Sequence, residues 1–331
     1  MRTQQHASSP MPCLKPLHPH LPFLQPRRHA DVVVVSIYVN PTQFAAHEDF
    51  GVYPRTREAD RAALAAAGVD AVFEPASLYE AGYGAAHSPS TADSALVVGA
   101  APPAAGSHET SVTVARLQVG LCGLSRPHFF AGVATVVAKL FNCVDPDTAV
   151  FGRKDFQQLA VITRMARDLD FGVRVLGGPI VREPDGLALS SRNALLTSGD
   201  RVAAPALASA LAWAVGAVAA ADPAAGLAAD QVVAGVTSRI QAGAPGARVD
   251  YVSLVDAADL TPVAVVGPAG GWGGDEGAGA SSPRPVLLAV AAFLGKVRLI
   301  DNTVLGSGEV DAGLAGLAGA ERGGEEEVEA T

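Results

Sequence analysis

Val150-Phe-Gly-Arg-Lys-Asp-Phe-Gln-Gln-Leu159 reads as a short buried strand that passes through Gly152 into an amphipathic helix. Leu159, Ile162, Ala166 and Leu169 recur at helical spacing, and Asp155 stands where an N-cap is expected. A strand, a glycine turn and a helix in that order are the unit of an α/β sheet. The turn also carries chemistry. First-turn N–H groups of a helix accept an anion, and Lys154 adds a positive charge beside them. Downstream, Arg182-Glu-Pro-Asp-Gly-Leu-Ala-Leu-Ser-Ser-Arg-Asn193 gathers two hydroxyls and a guanidinium in a small loop, donors that suit phosphate oxygens. The two stretches together point to a nucleoside triphosphate site.

Working outward, the same rhythm recurs. Asp31-Val-Val-Val-Val-Ser-Ile-Tyr-Val39 is a β-branched run of the kind buried on both faces of a parallel sheet. Arg57–Ala67 is predicted as a helix that stops at Gly68, and Ala71-Val-Phe73 as the next strand. Gly132–Leu140 (helix), Thr148–Phe151 (strand) and Asp155–Leu169 (helix) continue the alternation. A doubly wound, Rossmann-like parallel sheet follows, with ligands at the carboxyl ends of its strands. Asn40-Pro-Thr-Gln43 and Gly152–Asp155 both leave strands directly, so they are expected to face one crevice.

Beyond Thr197 the composition turns Ala-rich and helical, then Val249-Asp-Tyr-Val-Ser-Leu-Val255 alternates as a strand, with Pro285–Val290 and Val297–Ile300 as partners. The expected organisation is a proline-rich leader over 1–30, an α/β domain over 31–183 with a loop insertion at 85–108, a smaller α+β domain over 184–305 with a low-complexity loop at 268–284, and an acidic, solvated tail over 306–331. The leader holds Arg2, Lys15, Arg27 and Arg28, no acidic residue, and prolines at Pro10, Pro12, Pro16, Pro19, Pro22 and Pro26. It reads either as a disordered leader, as an organelle-targeting peptide, or as a misplaced start.

Composition excludes several classes. The 331 residues are 49% hydrophobic and 17% charged, enough for a large core. A net charge of -9 gives no basic face for nucleic acid. No apolar run reaches the ~20 residues of a membrane span without glycine or proline interruptions. Cys13, Cys122 and Cys143 form no CxxC pair, which fits free thiols in a reducing compartment.

These motifs resemble the pantoate–β-alanine ligase (pantothenate synthetase) family. The resemblance is carried by Val35-Ser-Ile-Tyr-Val-Asn-Pro-Thr-Gln-Phe44, Tyr53-Pro-Arg-Thr56, Gly132-Val-Ala-Thr-Val-Val137, Gly152–Leu159, Arg182–Asn193, Val249–Asp256 and Arg298-Leu-Ile-Asp-Asn302, in order. It implies a nucleotidyltransferase-type fold and a cytoplasmic homodimer. It also implies a two-step reaction: pantoate and ATP give pantoyl adenylate, and β-alanine then displaces AMP. Mg²⁺ accompanies ATP, held largely by phosphate oxygens.

The resemblance implies that Gln43 and Gln158 grip pantoate and that Asn40 lies near the reacting groups. A turn-forming Asn-Pro is the plain alternative for Asn40. Gly152, Arg153, Lys154 and Asp155 take the ATP-contacting loop, Val181 touches adenine through its backbone, and Leu189, Ser190, Ser191 and Arg192 close on the triphosphate. Three departures stand out. The family's pair of histidines, three apart with a glycine between, is replaced by Leu17-His-Pro-His-Leu21, leaving His18 and His20 two apart. The preceding strand is not visible in the sequence, and Pro22 and Pro26 break the helix expected after them. Ser125-Arg-Pro-His128 displaces a family histidine by one position, Arg153 stands where the family prefers an acid, and Asp60 alone remains of the polar groups after Tyr53-Pro-Arg-Thr56. The alternative to an active ligase is a truncated or impaired homologue that binds ATP and pantoate without efficient turnover.

Overall fold

The computed structural model describes residues 2–7, 30–44, 56–79, 108–272, 284–306 and Leu314. The chain divides into two compact units, Met1–Gly178 and Pro179–Thr331. The division falls a few residues before the expected 183/184 boundary, so Val181 and Arg182 belong to the second unit.

The first unit is built on five parallel strands: β1 (Arg2–Ala7), β2 (Val32–Ile37), β3 (Ala71–Phe73), β4 (Thr148–Gly152) and β5 (Arg174–Gly178). Their order is β3-β2-β1-β4-β5, and every pairing is parallel. Strand order reverses beside β1, between β2 on one side and β4 on the other, which is where such sheets place their ligands. Val33 and Val35 are fully buried with Leu64 from α1 (Arg57–Ala66), while Val32 is exposed. The valine run is therefore buried less evenly than a strand covered on both faces.

β1 corrects one expectation. Residues 1–30 are not wholly an unstructured leader, because Arg2–Ala7 pairs with both β2 and β4. Arg-Thr-Gln-Gln-His-Ala lacks the apolar pattern of a central strand, yet the ladder bonds are made by backbone groups and do not read side chains. Without it, the facing edges of β2 and β4 would lack partners in mid-sheet.

Two helices flank β4 in sequence, α2 (Phe129–Val144) and α3 (Phe156–Asp168). α2 buries residues on all sides, from Phe129 to Phe141, as its apolar composition requires. α3 packs against it and buries Val161, Ile162, Met165 and Ala166. Leu169, expected on that face, is 52% exposed, because the helix ends one residue earlier.

In α1, Asp60 is buried and accepts the Thr56 hydroxyl on both carboxylate oxygens, at 3.1 and 3.2 Å. Burial raises its pKa above the usual carboxylate value; the Thr56 bond opposes this and the nearby Glu74 charge reinforces it. An acid that holds its proton more tightly when folded favours folding below its unfolded pKa. That contribution is lost as pH rises through the folded value. Asp60→Asn, which stays neutral, is expected to raise the melting temperature near pH 7 and to lose that advantage near pH 4. Equal shifts in melts at the two pH values would contradict the assignment.

The second unit is α+β. It contains α4 (Ala206–Ala219), β6 (Leu227–Ala228), α5 (Ala229–Gly243), β7 (Arg248–Asp256), β8 (Val265–Gly267), β9 (Gly270–Trp272), β10 (Val286–Leu294) and β11 (Val297–Leu305). One antiparallel sheet runs β11-β10-β7 and a smaller one β6-β8-β9. Leu207, Leu211 and Val218 of α4 and Val232, Val236 and Ile240 of α5 share one core with Leu288, Val290 and Leu299 of the larger sheet. The stretch Ser198–Ala219 is long and apolar enough to cross a membrane by length and composition. Here it divides at Pro205 into a short helix and α4, and the buried face of α4 lies in this core.

Candidate active site

Gln43 sits in a single 3₁₀ turn, Pro41–Gln43, just beyond β2. Asn40 caps the turn with its side chain, accepting the Thr42 N–H at 3.4 Å and the Thr42 hydroxyl at 3.0 Å. Its amide donates to the Gly132 carbonyl on α2 at 3.1 Å and to Gln43 Oε1 at 3.4 Å. The plain reading of Asn40 as a turn former is correct, and the turn it forms is docked onto α2. Asn40 is 1% exposed and Gln43 6%, so neither is an ordinary surface-loop residue.

The docking requires glycine at position 132. An ideal Cβ there would lie 2.6 Å from the Thr42 carbonyl oxygen. Gly132→Ala is expected to push the turn off α2 and to destabilise the protein by about 1–3 kcal/mol, as overpacking does. Thermal melting checks this; a shift within error would mean that the turn yields freely.

On the other side of the sheet's switch point, β4 ends at Gly152. Arg153–Asp155 form a 3₁₀ turn that leads into α3. Asp155 does precede the helix as expected, but its side chain makes no capping hydrogen bond. An ideal Cβ on Gly152 meets nothing within 4 Å, and Gly152 is exposed. Lys154 and Arg153 are half-buried in the turn. Gln158 is 4% exposed on the buried face of α3.

A loop ties these two strand tips together, and sequence reasoning missed it. Gln157, adjacent to Gln158, donates to the carbonyls of Leu117 (3.0 Å) and Gly120 (2.6 Å) and accepts the Cys122 N–H (3.0 Å). At the loop's far end, Arg126 donates to the Gln43 carbonyl at 3.0 Å and stacks over Phe129, 3.9 Å from the ring centroid. The 117–126 segment is thus held by α3 at one end and holds the Gln43 turn at the other. Gln157's partners are backbone groups far away in sequence, so no spacing rule reveals them.

In the second unit, Arg182 and Ala188 pair across a tight turn. Gly186 donates to Glu183 O at 2.9 Å and Leu189 to Val181 O at 2.8 Å. Gly186 has φ +87, a conformation glycine adopts without strain. Arg182 forms a two-bond pair with Asp301 of β11, at 2.7 and 3.0 Å, and both side chains are buried. Arg182 also donates to Gly186 O, and Asn302 N–H donates to Asp301. Ser190 then caps the 3₁₀ turn Ser191–Leu195, accepting Arg192 N–H at 3.3 Å; Ser191 is buried. The helix-capping description fits Ser190, and it places Ser191 and Arg192 in a defined turn.

Gln43, Asn40, Gly152, Arg153, Lys154, Asp155 and Gln158 therefore lie in the first unit, and Val181, Leu189, Ser190, Ser191 and Arg192 in the second. His18 and His20 lie outside the described residues. Among the described residues no group of three His, Cys, Asp or Glu side chains gathers to hold a metal.

The family model for pantoate-beta-alanine ligase matches residues 17–304. The chain belongs to that family. Members are AMP-forming ligases that make an amide bond at the expense of ATP, and this chain is one, joining pantoate to β-alanine. It is 44% identical over 287 residues to the pantothenate synthetase of Desulfatibacillum aliphaticivorans, covering 86% of each chain. It is 43% identical over 272 residues to the pantoate–β-alanine ligase of Oryza sativa subsp. japonica, covering 82% of this chain and 79% of the other. The crystal structure of pantothenate synthetase from Thermus thermophilus superposes with a TM-score of 0.68 at 34% identity, covering 91% of each chain. The ligase from Francisella tularensis, complexed with β-γ ATP and β-alanine, superposes at 0.55 with 25% identity, covering 91% and 88%. The nucleotidyltransferase-type fold is thus shared. No comparison favours the impaired binder.

Proposed function

We propose that this ligase works through a pantoyl adenylate held across the strand tips just described. The pantoate carboxylate attacks the α-phosphorus of ATP, and the bond to the bridging oxygen breaks to release pyrophosphate. The β-alanine amine then attacks the acyl carbon, the acyl–phosphate bond breaks, AMP leaves and the amine loses a proton. Neither step needs a protein nucleophile. The work left for the protein is alignment and stabilisation of charge.

The observation that carries this reading is the burial of Gln43 and Gln158 beside the tips of β2 and β4, in a chain whose family match spans both. Carboxamides donate and accept, which suits pantoate's carboxylate and hydroxyls. Asn40 sets the turn that carries Gln43. Lys154, with the backbone of Gly152, Arg153 and Asp155, takes the phosphates. The family resemblance assigns adenine to the Val181 backbone and the triphosphate to Leu189, Ser190, Ser191 and Arg192. His18 and His20 contribute charge stabilisation at the phosphates. Mg²⁺ arrives on the nucleotide, held by its oxygens.

The protein acts as a homodimer on small molecules, without nucleic acid or membrane. Its compartment is the cytosol; the Arg-bearing, acid-free residues 1–30 make an organelle the alternative, which localisation of a tagged full-length chain separates. The activity test is AMP release, with pantothenate confirmed by mass. Product is expected only when pantoate, β-alanine and ATP are all present. A folded sample that forms no AMP in a pantoate-dependent way overturns the mechanism.

A further inference from the structure

Beside the Gln43 turn lies a tyrosine that the assigned roles leave unused. Tyr79 is 7% exposed, and its hydroxyl donates to Asn40 Oδ1 at 3.0 Å and lies 3.2 Å from the Thr42 hydroxyl. Further contacts hold its backbone and its ring. Tyr79 N–H donates to Ser77 Oγ at 3.0 Å, and the Ser77 hydroxyl donates back to the Tyr79 carbonyl at 2.7 Å. His108 meets the ring edge-on at 5.1 Å, and the Lys139 ammonium lies 5.2 Å from its centroid.

Asn40 carries the consequence. Its Oδ1 faces three donors, the Thr42 N–H, the Thr42 hydroxyl and the Tyr79 hydroxyl. Such a crowd of donors determines which end of the carboxamide is oxygen. The amide nitrogen must then face Gly132 O and Gln43 Oε1. Gln43 Oε1 is thereby engaged as an acceptor, which fixes the sense of that carboxamide and turns its NH₂ away from Asn40. The 3.4 Å contact between the two amides is at the long end of hydrogen-bond distances.

We propose that Tyr79 is a positioning residue for the pantoate site, setting through Asn40 the direction in which the Gln43 carboxamide presents its N–H donors to the acid. The proposal rests on the reading of Gln43 as a pantoate contact. It assigns Tyr79 no contact with substrate. Its effect belongs to pantoate alone, because Asn40 and Gln43 are the groups it orients.

The experiment is steady-state AMP formation by the full chain, with pantoate and ATP varied in turn. Tyr79→Phe keeps the ring and removes the donor. It is expected to raise KM for pantoate roughly tenfold and to change KM for ATP by less than about twofold. A purely structural role would weaken both or lower the active fraction. In a Gln43→Ala background the Tyr79→Phe change is expected to add nothing to KM for pantoate, since the group it orients is gone. A persistent tenfold rise there, or an unchanged KM in the single variant, overturns the proposal. Should Tyr79→Phe not fold, Thr42→Val removes the other hydroxyl donor to Asn40 and is expected to give the same split, with the same outcomes decisive. Absence of pantoate-dependent AMP formation in the unaltered protein counts against the ligase mechanism itself, and so is told apart from failure of the Tyr79 proposal.

Discussion

Lys154→Ala is expected to lower kcat/KM for ATP by roughly 100- to 1,000-fold, the usual cost of removing one preorganised charge-stabilising donor. The lysine stands in the Arg153–Asp155 turn between β4 and α3, and in the proposed mechanism it joins the helix-start N–H groups at the phosphates. The melting temperature is expected to stay nearly constant, because a half-buried lysine at a strand tip carries little core packing. Lys154→Arg retains the charge but changes its shape, so an intermediate rate is expected. Measuring kcat and KM for all three proteins decides the matter. A Lys154→Ala enzyme that keeps most of its rate would remove the lysine from the phosphate site.

The second large effect concerns stability. Asp301→Ala leaves Arg182 charged, buried and without its two-bond partner, and breaking such a pair costs about 3–5 kcal/mol. For a unit of this size that corresponds to a fall in melting temperature on the order of 10 °C. The turn carrying Val181 and Leu189 is fastened to β11 by the same guanidinium, so KM for ATP is expected to rise as well. An Arg182→Met, Asp301→Leu double variant removes both charges and is expected to recover most of the lost stability. If the double variant is no more stable than Asp301→Ala, the loss comes from packing and not from an orphaned charge.

Much of the fold was readable from the chain. The valine run before Ser36 announces β2, and Gly68, with φ +73, stops α1. The glycine turn at Gly152 marks the passage from β4 to α3. β1 was not readable, because Arg2–Ala7 carries no apolar alternation and its place depends on backbone bonds. The apolar pattern of β11 ends at Ile300, but the strand runs to Leu305. Asp301, Asn302 and Thr303 look like a polar loop in sequence, yet they are buried, and Asp301 is accommodated by Arg182, far earlier in the chain.

The candidate site divides in the same way. Gln43, Gln158, Lys154 and the Ser190–Arg192 turn announce themselves by motif. Gln157 and Tyr79 do not, because each acts on a backbone carbonyl or a neighbouring amide brought near only by folding. Gln157 and Gln158 are adjacent and both buried, yet one secures a loop while the other belongs to the pantoate reading.

The central placement of β1 bears on how the chain is made. A ribosome emits Arg2–Ala7 before either neighbouring strand, and one of those neighbours, Thr148–Gly152, emerges only after the whole β2–α2 stretch. Pairing across such a separation closes a long loop and lowers the rate of assembly. During synthesis the half-sheet of β1 to β3 therefore presents an unmatched margin to whatever is nearby, a period in which chaperones have most to offer.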